Sequence, residues 1–267
     1  MITFVTCWYN LKAKFPSDNY RVWMSNLILN VNNFNLVIYT DAKSKVDIEP
    51  YINNNPLIKV VIKEMSDMYG YRYKKEWIQN HNNNAALKQW KVDWELNMLW
   101  SEKINFVKEA IETTFLGSDW YGWCDIGYFR GRPGLDLSID AIKAWPKVDK
   151  EKEFNKDKIY YNMVGTNETI HMIHNSIKNS DYKGLPVPPI PMNQVSVSGG
   201  FFIIHKDKLQ WWWDKYYNRL QLYFENNYLV KDDQMIVIDC MLREIKHFNL
   251  LRGQSGDIWF SFGPFLL

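Results

Sequence analysis

Three groups of residues in this chain have side chains that could do chemistry. The first is Trp123-Cys124-Asp125-Ile126-Gly127-Tyr128-Phe129-Arg130, where an aromatic and apolar run ends on one carboxylate, with a glycine and then an arginine soon after. A buried strand that presents an acid at its carboxyl end lets an α/β enzyme hold Mg²⁺ or Mn²⁺ against a phosphate. Arg130 suits bidentate pairing with a phosphate, and Gly127 leaves room for close backbone approach. An Asp that caps a turn beside a structural Arg fits the same pattern.

The second group is Gly199-Gly200, set inside the apolar stretch from Val195 to Ile204. Glycine weakens a strand, so a pair of them marks a kink, or the close approach of another group such as a sugar. The third is Asp232-Asp233-Gln234 at the start of an apolar-periodic segment. Acids are favoured at a helix amino terminus by the dipole alone. The same acids could accept from sugar hydroxyls or take a proton as a general base. Asp41, after Thr40 at the end of a second apolar run, could accept from a ribose hydroxyl or simply close a turn.

Other chemistries find less support. His171 and His174 are three residues apart with no third ligand near in sequence, and His205 and His247 have no evident partner. Gly-x-Ser-x-Gly, Gly-x-x-x-x-Gly-Lys and Gly-x-Gly-x-x-Gly are all missing, which disfavours a serine hydrolase, a P-loop enzyme and a Rossmann dehydrogenase. Cys7, Cys124 and Cys240 lie far apart without a Cys-x-x-Cys, against both a zinc cluster and a disulfide framework. The formal net charge is only +2 with both signs scattered, so a nucleic-acid partner is not expected. Aromatic residues make up 16% of the chain, enough to supply stacking surfaces for bases and sugars as well as core.

The elements that must position these groups read as alternating strands and helices. Ile2–Cys7, Leu36–Asp41 and Leu57–Ile62 are uninterrupted apolar strands. Ser17 and Asp18 are suited to cap a helix carrying Tyr20, Trp23, Met24, Leu27 and Ile28. Residues 63–84, with Gly70 and Asn82-Asn83-Asn84, read as a loop or mobile segment. Residues 85–113 read as a long helical stretch broken once, with Lys103 in it. The strand that delivers Asp125 follows, then a turn at 131–134 and a charged loop at 147–158. Ile159–Val164 reads as a strand, Glu168–Lys178 as a helix, and Leu185–Pro191 as extended. Val195–Ile204 is a strand interrupted by its glycines. Lys208–Asn226 is an amphipathic helix anchored by Trp211-Trp212-Trp213, and a further helix starts at Asp232. Ser255–Leu267 is an aromatic, glycine-bearing tail. No run approaches the roughly 18 apolar residues of a membrane span, and no signal-peptide pattern is seen, which points to a reducing, cytoplasmic setting.

Taken in order, Trp100, Lys103, Phe106-Val107 and Trp123-x-Asp125-Ile126-Gly127-x-x-Arg130 resemble the HtrL/YibB-like family of bacterial glycosyltransferases. Ser198-Gly199-Gly200-Phe201-Phe202 and Asp233-Gln234 are similar to that family's glycine-rich strand and Asp-Gln helix start. The resemblance runs from the first strand to about residue 245 and thins over 63–84 and 146–190. It implies an α/β GT-A fold, a Rossmann-like nucleotide-binding half merged with an acceptor half around one mixed sheet. On that reading 1–267 is a single catalytic domain, with about 1–130 the nucleotide-sugar half and about 131–267 the acceptor half.

The implied reaction is metal-assisted transfer of a sugar from a nucleoside diphosphate sugar, UDP-linked by preference, to a hydroxyl of a glycan or glycolipid in surface polysaccharide synthesis. The resemblance implies Thr6, Trp8, Tyr9 and Asp41 around the nucleoside and Lys103 and Arg130 at the diphosphate. Asp125 would hold Mn²⁺ or Mg²⁺. Gly199, Gly200 and Gln234 would shape the sugar pocket, with Asp232 or Asp233 as the acceptor-side carboxylate. The chain departs from the usual Asp-x-Asp, because Gly127 stands where a second acid often does. A non-catalytic carbohydrate-binding protein and a nucleotidyltransferase acting on sugar phosphates are the rival readings.

Overall fold

A computed structural model describes residues 1–114, 116–253 and 256–267. Seven strands form one sheet: β1 (Thr3–Trp8), β2 (Asn35–Thr40), β3 (Ile58–Ile62), β4 (Trp120–Cys124), β5 (Ile159–Met163), β6 (Val197–His205) and β7 (Phe248–Leu251). Their spatial order is β3-β2-β1-β4-β6-β5-β7. The first four run parallel, β6 runs antiparallel to both β4 and β5, and β7 pairs parallel with β5.

Alternation along the strands sends side chains to two separate cores. Val5, Val37, Tyr121, Trp123, Tyr161 and Phe202 point to one face. Phe4, Leu36, Ile38, Trp120, Tyr160 and Phe201 point to the other. The helices, in chain order, are α1 (Ser17–Ile28), α2 (Lys45–Ile52), α3 (Lys74–Asn83), α4 (Ala85–Gln89), α5 (Trp94–Ser101), α6 (Lys103–Thr114), α7 (Ile139–Lys143), α8 (Asn167–Lys178), α9 (Lys206–Glu225), α10 (Asp233–Arg243) and α11 (Phe262–Phe265). The first core takes the apolar stripes of α5, α6, α9 and α10, and the second takes α1 and α11. Trp212 is fully buried while Trp211 and Trp213 are half-buried, so the tryptophan triplet does anchor α9.

Several expectations need correction. Residues 63–84 are not a loop: they form two short 3₁₀ turns, Met65–Asp67 and Tyr69–Tyr73, and then α3. Buried Glu102 accepts from the backbone N–H groups of Tyr69 (2.7 Å) and Gly70 (2.8 Å), which ties this segment down. Asparagines that resemble turn residues are used as tertiary donors. Asn80, Asn84 and Asn97 send their side-chain amides to the single carbonyl of Val230, at 2.8, 3.3 and 2.9 Å.

The helical stretch 85–113 is broken twice, into α4, α5 and α6. Ser17 and Asp18 lie in the first turn of α1 rather than capping it, and Asp18 pairs with Arg21 at 2.9 Å. The glycines do not interrupt β6, which runs through them. β7 was not expected. It has four residues, too few for a pattern to stand out. Of the tail, Ser255 lies outside the described residues, and the rest forms a 3₁₀ turn at Ile258–Phe260 and α11. Among the described residues, no helix is long and apolar enough to cross a membrane.

Candidate active site

The sheet topology explains why residues far apart in sequence meet. β4 ends at Cys124, so Asp125 emerges at the carboxyl edge of the parallel strands, where open α/β sheets place ligands. β6 runs the other way beside it, pairing Cys124 with Phe201, and therefore delivers Gly199 and Gly200 next to Asp125. The Asp125 N–H donates to the Gly200 carbonyl at 2.8 Å. α6 crosses β1 and β4 and brings Lys103, its first residue, to the same point. α10 begins there with Asp233.

Lys103 is the hub. Its Nζ donates to the Gly199 carbonyl at 2.7 Å and lies 3.3 Å from both Asp125 Oδ1 and Asp233 Oδ2. Burial opposes its charge, but the two carboxylates outweigh burial and hold the ammonium above its ordinary pKa. Trp123 Nε1 donates to the same Asp125 Oδ1 at 2.6 Å. The ammonium expected at a diphosphate is thus engaged by three protein acceptors.

Asp233 is buried, and that burial raises its carboxyl to about 6, with Lys103 pulling the other way. Its neighbour Asp232 is also buried; Oδ2 pairs with Lys231 at 3.1 Å, whereas Oδ1 has no hydrogen-bond partner. A buried carboxylate oxygen left unpaired is costly unless a ligand completes it.

The glycines lie against these acids. A Cβ on Gly199 would stand 2.9 Å from Asp233 Oδ2, and one on Gly200 would stand 3.2 Å from Asp125 Oδ2. Gly127 makes room for a protein ring, since its Cβ would meet Trp23 at 2.9 Å.

These groups line a cavity of about 440 Å³. Asp125, Lys103, Arg130, Gly199, Gly200, Asp232, Asp233 and Gln234 all face it. Trp8 and Tyr9 line a smaller hollow of about 120 Å³ that shares Asp125 and Lys103 with the main cavity. Thr6 and Asp41 face neither. Thr6 is fully buried in β1, and Asp41 Oδ1 accepts from the Ser44 N–H at 2.5 Å as a turn residue does.

Sequence reasoning missed Lys14, Phe15, Tyr20, Trp100, Asp257, Trp259 and Phe260, which complete the wall. Lys14-Phe15, a cation and an aromatic shortly after β1, carried the only local signal. Arg130 rests near the rings of Trp23 (4.5 Å), Phe260 (5.0 Å) and Phe15 (5.1 Å). Burial lowers its pKa, and Arg132 adds to the effect. Arg132 itself is tied to Asp136 (2.7 Å) and Asp257 (2.9 Å).

Among the described residues no cluster of three or more His, Cys, Asp or Glu side chains is arranged to hold an ion. Asp125 is nonetheless 44% exposed at its side chain, with Oδ2 held open by Gly200. One open carboxylate oxygen fits a Mg²⁺ or Mn²⁺ ion that takes its other ligands from substrate phosphates and water.

No protein-family model and no curated protein matches the chain. Among solved structures, mouse xyloside xylosyltransferase 1 is similar at TM-score 0.50 and 10% identity, over 94% of this chain and 86% of that one. Galactosyltransferase LgtC, in complex with donor and acceptor sugar analogs, is similar at TM-score 0.47 and 8% identity, over 94% of this chain and 73% of that one. The second likeness is too distant to carry an argument. The first speaks to fold alone, and with the mixed seven-stranded sheet it defines a GT-A-like α/β architecture.

Proposed function

We propose that the chain is a glycosyltransferase that moves a sugar from a nucleoside diphosphate sugar, UDP-linked, to a hydroxyl of a glycan or glycolipid. The observation that carries this reading is the convergence of Asp125, Asp232 and Asp233 with the Gly199-Gly200 step on one cavity at the carboxyl edge of a GT-A-like sheet. The sequence resemblance to HtrL/YibB-like glycosyltransferases agrees with it, and the cytoplasm is the compartment that goes with this reading. Residues of about 1–130 form the donor half and those of about 131–267 the acceptor half.

In this reading the hollow beside Trp8 and Tyr9 receives the nucleoside, and Arg130 meets the diphosphate. Asp125 Oδ2 is the protein's ligand to Mn²⁺ or Mg²⁺, which when bound offsets charge on the departing diphosphate. Lys103 holds Asp125 and Asp233 in place. The open Oδ1 of Asp232 accepts from a sugar hydroxyl. The bond from the anomeric carbon to the diphosphate oxygen breaks with its electron pair leaving on the diphosphate, and the acceptor oxygen bonds to that carbon. Asp233 takes up the acceptor's proton, a role suited to a carboxyl raised to about 6.

Incubation with a panel of nucleotide sugars tests this. Slow release of nucleoside diphosphate from one donor is expected, strongly reduced by Asp233→Asn. Binding of glycans with no hydrolysis of any donor would replace the proposal with a carbohydrate-binding protein.

A further inference from the structure

The cations around the cavity fall into two kinds. Lys103, Lys231 and Arg132 are each matched by carboxylates of the protein. Lys14 and Arg130 are not: neither forms an ion pair among the described residues, and both lie over aromatic rings. Lys14 Nζ sits 3.5 Å from the ring centre of Trp90 and 4.6 Å from that of Trp100, and Arg130 rests among Trp23, Phe260 and Phe15. Phe15 follows Lys14 directly, so the segment after β1 brings a cation and the platform of the second cation to the same wall.

A charge over a ring face is oriented but only weakly compensated. Lys14 is exposed at the cavity wall; Asp232 and Asp233 favour its charge, while Lys231 and Lys103 oppose it. Two charges held ready without counter-ions, facing one cavity, form a receptor for a ligand carrying about two negative charges.

We propose that Lys14 and Arg130, on their aromatic platforms, are the anion subsite of the cavity and take the two phosphates of the donor diphosphate. Lys103 is excluded from that contact and is a positioning residue for Asp125 and Asp233. The proposal rests on the donor reading given above. It assigns a role to Lys14, which no motif in the sequence marks.

The test is calorimetric titration of UDP, and separately of inorganic pyrophosphate, at fixed Mg²⁺. The proteins are the unaltered chain, Lys14→Met, Arg130→Met, Lys14→Arg and Lys12→Ala. Methionine keeps the aliphatic stem on Trp90 and removes the charge, and a thermal melt of each variant confirms folding. Lys14→Met and Arg130→Met are each expected to weaken both ligands by about 10- to 100-fold, with Lys14→Arg restoring most of the affinity. Lys12, exposed in the same segment and paired with Asp93 at 3.6 Å, should be silent. If the unaltered chain and folded Lys14→Met bind UDP equally, the subsite is overturned and the donor reading survives. If pyrophosphate binds through Lys14 and Arg130 but UDP does not, the anion subsite stands and the UDP-linked donor reading falls. Binding of neither ligand overturns both.

Discussion

Asp233 and Asp239 lie on the same helix, α10, and both are buried. Asp239 is fully enclosed and well supplied: it accepts from Arg243 Nε at 2.6 Å and the Tyr223 hydroxyl at 2.9 Å, and the Arg219 guanidinium lies at ion-pair distance, 3.6 Å. Arg219 and Arg243 also donate to the Gly184 carbonyl, at 2.9 and 2.8 Å respectively, so the carboxylate pins the 180–185 turn onto α9 and α10. At the other end of the helix Asp233 has one shared ammonium, and its neighbour Asp232 keeps an oxygen with no partner. One end is complete without a ligand; the other is left incomplete. Buried acids therefore mark a site not by being buried, which both are, but by the donors they lack.

That contrast can be broken in four ways. The largest effect is expected from Asp233→Asn. Transfer should fall by about 10²- to 10⁴-fold while nucleotide affinity stays near that of the unaltered chain. Equal turnover would remove Asp233 from the chemistry. Asp239→Ala should do the opposite. Leaving two arginines and a tyrosine without their acceptor should cost about 3–5 kcal/mol of stability, read by chemical denaturation, with UDP affinity of the folded protein unchanged. A drop in affinity without a drop in stability would erase the distinction between the two ends.

Gly199→Ala comes next, since its Cβ would press on Asp233 at 2.9 Å. Turnover should fall by about 10-fold or more, with a smaller loss of stability. A variant as active as the unaltered chain would show that Asp233 has room to move.

The smallest effect is in the pH dependence. With the carboxyl raised to about 6, turnover should decline as pH falls through that value, and the decline should be missing from the residual rate of Asp233→Asn. The stability sign is the reverse of that for an ordinary paired acid. Between the unperturbed 3.8 and about 6 the folded state binds more protons than the unfolded one. Asp233 thus contributes stability at low pH that is lost as pH rises through about 6. Denaturant midpoints of Asp233→Asn and the unaltered chain at pH 4 and 7 read this directly.

Legibility in the sequence followed the same division. Asp125, the glycine pair and the Asp-Gln helix start were readable, because each breaks the pattern of the element that holds it: an acid closing an apolar run, glycines inside a strand, acids before a buried helix. The parallel strands were readable as uninterrupted apolar runs. The commitment of Lys103 to two carboxylates was not, because it depends on the antiparallel placement of β6 beside β4, which no local spacing encodes. Lys14 carries no such mark, because a lysine in an irregular segment gains its ring partners, Trp90 and Trp100, only in the fold. Residues 63–84 misread for a related reason. Their glycine and asparagines have turn chemistry locally, and only Glu102 and the Val230 carbonyl, distant in sequence, recruit them into ordered structure.

The Val230 carbonyl has a consequence for how this chain tolerates change. A carbonyl oxygen has two lone pairs, yet three asparagine amides from three different helices or helix ends converge on it, two residues ahead of Asp232. The carbonyl has a surplus of donors, but the three asparagines are not interchangeable: Asn80 Oδ1 also accepts from the Val230 N–H at 2.8 Å, and Asn84 Oδ1 accepts from the Leu87 N–H at the start of α4. Loss of Asn97 alone is therefore buffered at the carbonyl, whereas loss of Asn80 also strands the buried Val230 N–H, so the backbone that sets Asp232 at the cavity depends most on that one side chain.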